Sequence, residues 1–277
     1  MELGALAALT AAGLAVGFVA GLVGIGGGVL LVPFLYFFYG HPAWSGASVA
    51  ATLEVTVAHA TSLAIILPTA ILGVATYART GLVAWRAALP LALASLVGAV
   101  LGARLALALP GELLRLGFGV FLVATGVQLL GTPRAPAPRP LRTSPVLMIP
   151  AGLGIGVFSA LLGVGGGLVA IPVLLHVVRL DLGRVAATSL AVVVFAAAAG
   201  AATSALSGPA VAGVPAGSAG FVDVRTALPI AVGAMAAVPL GAWANQRIGR
   251  TALRRIFGVS FLLLGARLVM VTLPFGR

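Results

Sequence analysis

The sequence predicts an all-α integral membrane protein built from two inverted repeats of about five hydrophobic segments each. Three observations predict it. Hydrophobic residues make up 61% of the chain and charged residues only 8%, against about 25% charged in a soluble domain. The long apolar runs lack the alternation of strands and are long enough to cross a hydrocarbon core of about 30 Å. Finally, Gly24-Ile25-Gly26-Gly27-Gly28 with Pro33 returns 139 residues later as Gly163-Val164-Gly165-Gly166-Gly167 with Pro172.

Taken in order, apolar segments lie near 4–23, 27–39, 58–78, 83–109 and 113–131. Their partners lie near 146–162, 166–178, 185–206, 222–246 and 252–274. The first repeat is therefore 1–131 and the second 146–277, together one membrane domain. The stretch 132–145, with Pro133, Pro136, Pro138, Pro140, Pro145 and three arginines, reads as the linker. Gly81–Pro90 matches Gly220–Pro229, and Phe118-Gly-Val matches Phe257-Gly-Val, both at the same offset of 139. Ala60-Thr61-Ser62-Leu63-Ala64 matches Ala187-Thr188-Ser189-Leu190-Ala191 at 127, which puts the first repeat's extra residues near 41–57. Each glycine inside a helix costs about 1 kcal/mol relative to alanine, so four in five residues end one. Within a membrane such a break survives only where its backbone is buried in protein or lines a cavity. Each half is thus expected to hold a Gly-broken helix or a re-entrant hairpin.

Arginine placement sets the topology. If each glycine-interrupted stretch turns back on itself, Arg79, Arg86, Arg134, Arg139, Arg142, Arg179, Arg184, Arg247, Arg250, Arg254 and Arg255 share one face. Only Arg115, Arg225 and Arg277 lie opposite, with Arg104 and Arg267 inside apolar runs. A single crossing per stretch would divide the connecting arginines evenly. The first arrangement obeys the positive-inside rule, and it predicts both termini outside the cell membrane. An odd number of crossings per half then makes the repeats inverted, a plan shared by many secondary transporters.

Composition also excludes functions. With no cysteine there is no disulfide and no thiolate chemistry, and three histidines and five carboxylates are too few for an expected metal centre. The net charge of +11 comes from arginines between apolar spans, so lipid rather than nucleic acid is the expected contact. The start Met1-Glu2 lacks a basic region, so no cleaved signal is expected. No G-x-S-x-G elbow and no nucleotide-binding motif occur, and neither an enzyme nor a cofactor is expected.

Gly17-Phe-Val-Ala-Gly-Leu-Val-Gly-Ile-Gly-Gly-Gly-Val-Leu-Leu-Val-Pro33 and its copy from Gly156 to Pro172 resemble the TauE/SafE sulfite exporter family, also called the toluene sulfonate uptake permease family. His59-Ala-Thr-Ser-Leu-Ala64 and Val185-Ala-Ala-Thr-Ser-Leu190 are similar to that family's pattern. The resemblance runs from about residue 13 to 270. It implies transport of sulfite, sulfonates or related sulfur-containing anions across the cytoplasmic membrane, with export the expected direction. A passive anion channel and a carrier of small carboxylates are the competing readings.

Several residues are candidates for contact with a small anion. Backbone N–H groups of Gly24, Gly26, Gly27 and Gly28, and of Gly163, Gly165, Gly166 and Gly167, are suited to grip an anionic oxygen at a helix start; close helix packing is the other role glycine fills. Thr61, Ser62, Thr188 and Ser189 offer hydroxyls to the same oxygens, or cap and cross-link helices. His59 is a candidate for a coupling proton, or a satisfied polar residue near a helix start; a coupling cation is the other option. Arg267 either balances substrate charge or snorkels to the interface. Glu54 is read as the only carboxylate that could lie in an apolar stretch, with a place in a lid or lateral helix formed by the extra residues as the favoured reading. The many small residues also permit a homodimer. The arginine distribution makes a direct prediction, which the absence of native cysteine makes easy to test. In A137C, a membrane-impermeant thiol reagent should label the linker only after cells are permeabilised; labelling of intact cells would reverse the orientation.

Overall fold

The computed structural model describes residues 3–41, 49–131, 141, 143–207, 213–245, 247 and 250–272. Five helices come from each repeat: α1 Leu3–Val23, α2 Gly28–Tyr39, α3 Glu54–Ala78, α4 Trp85–Ala108 and α5 Gly111–Leu130, then α6 Pro145–Leu162, α7 Gly167–Val177, α8 Leu182–Leu206, α9 Val224–Asn245 and α10 Arg250–Thr272. Among the described residues there is no strand, only an isolated bridge between Ala219 and Val222. Among the described residues seven helices are long and apolar enough to span a membrane, while α2, α7 and the apolar part of α10, Phe257–Thr272, are shorter. At 1.5 Å per residue, the 12 residues of α2 reach about 18 Å.

Helix limits follow local chemistry. Gly163 ends α6 in the left-handed conformation, and Gly27 and Gly166 precede α2 and α7 in the same conformation. Asp181 caps α8 by accepting the Gly183 N–H, and Pro145 opens α6. Beyond Pro172, α7 widens into a π-helical turn, Val173–Val177. In a medium without water, hydroxyls must find partners within the chain. Thr10, Thr76, Thr125, Thr203 and Thr272 donate to the carbonyl four residues earlier.

Glycine governs which helices meet. A Cβ built on Gly17 would lie 2.0 Å from the Ala234 carbonyl oxygen, and one on Gly156 the same distance from that of Ser95. These contacts are repeat equivalents. Gly13, Gly17 and Gly21 meet Ile230, Ala234 and Val238 in turn, so α1 runs parallel to α9. Gly152 and Gly156 meet Leu91 and Ser95, so α6 runs parallel to α4. Helices α5 and α10 cross through Gly119 and Gly126 against Gly265 and Gly258, in opposite directions. Bilayer lipid supplies no hydrophobic drive to bring helices together, so contact of small residues and close packing take its place.

At the centre, α3 packs on α8, and each also packs on the fourth helix of the other repeat. The chain reverses at both glycine clusters. The carbonyls of Gly21 and Leu22, at the end of α1, are bonded from Tyr77 and Asn245 at the ends of α3 and α9. The end of α2 instead reaches the beginning of α9, where Tyr39 donates to Asp223 at 3.1 Å. Helix packing through glycine predicts a sharp contrast. Gly156→Ala should destabilise the detergent-solubilised protein by about 1–3 kcal/mol, whereas Gly154→Ala, where an added Cβ meets nothing within 4 Å, should not. Thermal unfolding of the two variants checks this.

Candidate functional site

Two glycine turns meet in the middle of the protein. Gly24, Gly26 and Gly27 have φ of 76°, 79° and 80°, and Gly163, Gly165 and Gly166 have 66°, 74° and 83°. A side chain is disfavoured there by about 1–2 kcal/mol per residue. Gly28 and Gly167 have ordinary φ but no room: a Cβ on Gly28 would sit 2.5 Å from Val164 Cα, and one on Gly167 would sit 2.4 Å from the Ile25 oxygen. Each turn therefore rests backbone to backbone on the other. Ile66, midway along α3, and Val193, midway along α8, flank both Gly26 and Gly165. All residues from 24 to 29 and from 162 to 168 are buried.

The two sides of each turn differ in hydrogen bonding. Side chains fill a carbonyl near the end of both α1 and α6: Asn245 Nδ2 donates to Leu22, and His59 Nδ1 donates to Leu161 at 3.0 Å. Leu22 and Leu161 are repeat equivalents. The N–H groups that start α2 and α7 are not filled. Those of Gly26, Gly27, Gly28 and Val29, and of Gly165, Gly166, Gly167 and Leu168, have no partner among the described residues. Two helix N-termini with unpaired donors and partial positive charge thus face a closed interior.

The four hydroxyls expected at the site divide by role. Thr61 Oγ1 accepts the Asp223 N–H at 3.0 Å, and Thr188 Oγ1 accepts the Ala84 N–H at 3.0 Å. Each threonine holds the beginning of the fourth helix in the opposite half, again as repeat equivalents. Ser189 Oγ donates to the Gly167 carbonyl at 3.4 Å, while Ser62 Oγ has no partner although Ser62 is 0% exposed. Ser159 was not among the expected residues. Its buried Oγ is also unpartnered and lies 3.2 Å from a Cβ built on Gly166, so it faces the second turn.

His59 is fully buried against Gly163, with both ring nitrogens engaged. Nδ1–H bonds Leu161, and Nε2 takes the Tyr36 hydroxyl at 2.5 Å. Arg115 lies over the Tyr36 ring at 5.3 Å and pairs with Glu54 at 3.7 Å. Glu54 opens α3 and is partly exposed, so it belongs to a helix start rather than a lateral lid; residues 42–48 of the extra segment lie outside those described. The interior carboxylate is Asp223, 1% exposed. It accepts from the N–H groups of Arg225 and Thr226, from Thr226 Oγ1 at 2.6 Å, and from Tyr39. Its sequence signal was its mismatch with Ala84 in the aligned repeat. Arg267 is exposed on α10 and does not join the glycine turns.

The family model described as "Sulfite exporter TauE/SafE" matches residues 9–268. A protein named "Probable membrane transporter protein" from Xylella fastidiosa strain Temecula1 is 32% identical over 174 residues, 60% of each chain. Another of that description from Methanocaldococcus jannaschii is 29% identical over 168 residues, 58% of each. The chain thus spans about 60% of the length of the curated relatives it matches. No solved structure matches it.

The threonine contacts generate a paired prediction. Thr61→Val and Thr188→Val should each leave a buried N–H unsatisfied and lower stability by about 1–3 kcal/mol. Thermal unfolding in detergent tests this. Equal stability in both variants would show that these hydroxyls do not hold the opposite halves.

Proposed function

The chain belongs to the TauE/SafE sulfite exporter family, and from that premise we propose that it is a secondary transporter of a small sulfur-containing anion. Sulfite or an organosulfonate is carried outward across the cytoplasmic membrane by alternating access between two inverted halves. The observation that carries this reading is the meeting of two helix N-termini whose N–H groups are unpaired, with the unpartnered Ser159 hydroxyl facing the second turn and that of Ser62 one helical turn before Ile66. Such a set of donors suits oxyanion oxygens, which accept hydrogen bonds and carry negative charge.

The packing directions support the inverted plan. The equivalent helices α5 and α10 cross in opposite directions, as two halves of opposite orientation require. Discontinuous helices at equivalent places near the middle are where inverted-repeat transporters bind substrate. Because the turns are wholly buried, a substrate reaches them only when one group of helices moves against the other. The proposed pivot is the α3–α8 pair, which flanks both turns.

Purified protein should be stabilised by sulfite or a small sulfonate, by about 2.7 kcal/mol at one hundred times the dissociation constant. Ser62→Ala and Ser159→Ala should weaken that binding about tenfold each, the loss of about 1.4 kcal/mol, without lowering the stability of the unliganded protein. Proteoliposomes should then show saturable counterflow, which a passive channel lacks. Stabilisation by carboxylates alone would replace the substrate class.

A further inference from the structure

We infer that the central site selects singly charged anions over doubly charged ones of the same shape. The inference rests on the transport reading above and narrows its substrate class. Each helix N-terminus contributes about half a positive charge, so the two turns together balance about one negative charge. The polar side chains at the turns bring no cation: Ser159 and Ser189 are neutral hydroxyls, and His59 beside Gly163 has both ring nitrogens bonded. The walls are Ile66, Val193 and, beside Gly27, Val16.

Among the described residues no cation completes the site. Among the described residues, the one charged residue that is fully buried is Asp223, a carboxylate. Its backbone N–H is bonded to Thr61, the neighbour of Ser62, so the nearest interior charge is negative. Arg115 stays at the beginning of α5, partly exposed and already paired with Glu54. The cost of taking an ion out of water grows with the square of its charge, so a dianion loses about four times as much hydration as a monoanion. Two half-charges and neutral hydroxyls offset the smaller cost and not the larger.

This assigns hydrogensulfite, rather than sulfite dianion, as the carried species, and sulfonates rather than sulfate. It also bears on coupling. Hydrogensulfite carries its own proton on the substrate, so outward movement of one ion moves one proton and one net negative charge together. No side chain has to titrate, which fits the fully engaged ring of His59.

The test uses the wild-type protein in detergent and three probes: methanesulfonate, methylphosphonate at a pH where it carries two charges, and sulfate. Methanesulfonate and methylphosphonate share shape and differ in charge. Dissociation constants from thermal shift should be at least about tenfold larger for both dianions than for methanesulfonate. A dianion bound as tightly as methanesulfonate overturns the inference and leaves the transport reading intact. If no sulfur oxyanion binds, the transport reading itself fails and this inference with it.

Discussion

The contact on which the rest of the structure depends is that of two backbones lying directly on each other. Gly28 against Val164 and Gly167 against Ile25 leave no space for a Cβ on either glycine. That closeness requires the chain to turn sharply on both sides, and the six left-handed glycines provide the turns. It also requires the surrounding helices to converge, which explains why α1, α4, α6 and α9 carry glycine wherever they touch. A side chain in any one of these places would move a helix by an ångström or more, and the two turns would separate.

Breaking a helix inside an apolar medium exposes polar groups on both sides of the break, and the protein treats the two sides differently. Three carbonyls are capped by side chains: Tyr77 and His59 from the two ends of α3, and Asn245 from the end of α9. Amides are left open. Since unsatisfied buried donors are costly, this division makes sense where the donors have an external partner. The threonines Thr61 and Thr188, by contrast, serve the frame, holding each half to the other across the central helix pair.

Much of this was legible from sequence because it depends on residue type and spacing alone. Apolar runs gave the ten helices of the described residues within a few residues, and the glycine clusters marked both reversals. Other features depend on where a side chain points after folding. Ser159 lies in an ordinary apolar stretch, and only the turn after α6 brings Gly166 over its hydroxyl. Tyr36 and Tyr39 find their partners only because α2 runs back toward α3 and α9. Asp223 stands at the very start of the apolar run 222–246, where a carboxylate is normally exposed. Four hydrogen bonds from neighbours make its burial tolerable. Glu54 drew attention in its place because the extra residues before it obscured where α3 begins.

The halves are not equal. Tyr36, Tyr39, His59 and Asp223 form a tied cluster at one end of the bundle, while the matching positions hold Leu175, Val178, Ala186 and Ala84. Two identical halves related by inversion would have mirror-image open states of equal free energy, and nothing but the gradients would decide which one the resting protein occupies. A bonded cluster at one end removes that degeneracy. In the proposed cycle, opening toward that end must break hydrogen bonds that opening toward the other end leaves intact. In that cycle, divergence between the halves would write a preferred direction into a ground state that the proposed inverted plan, by itself, leaves without one.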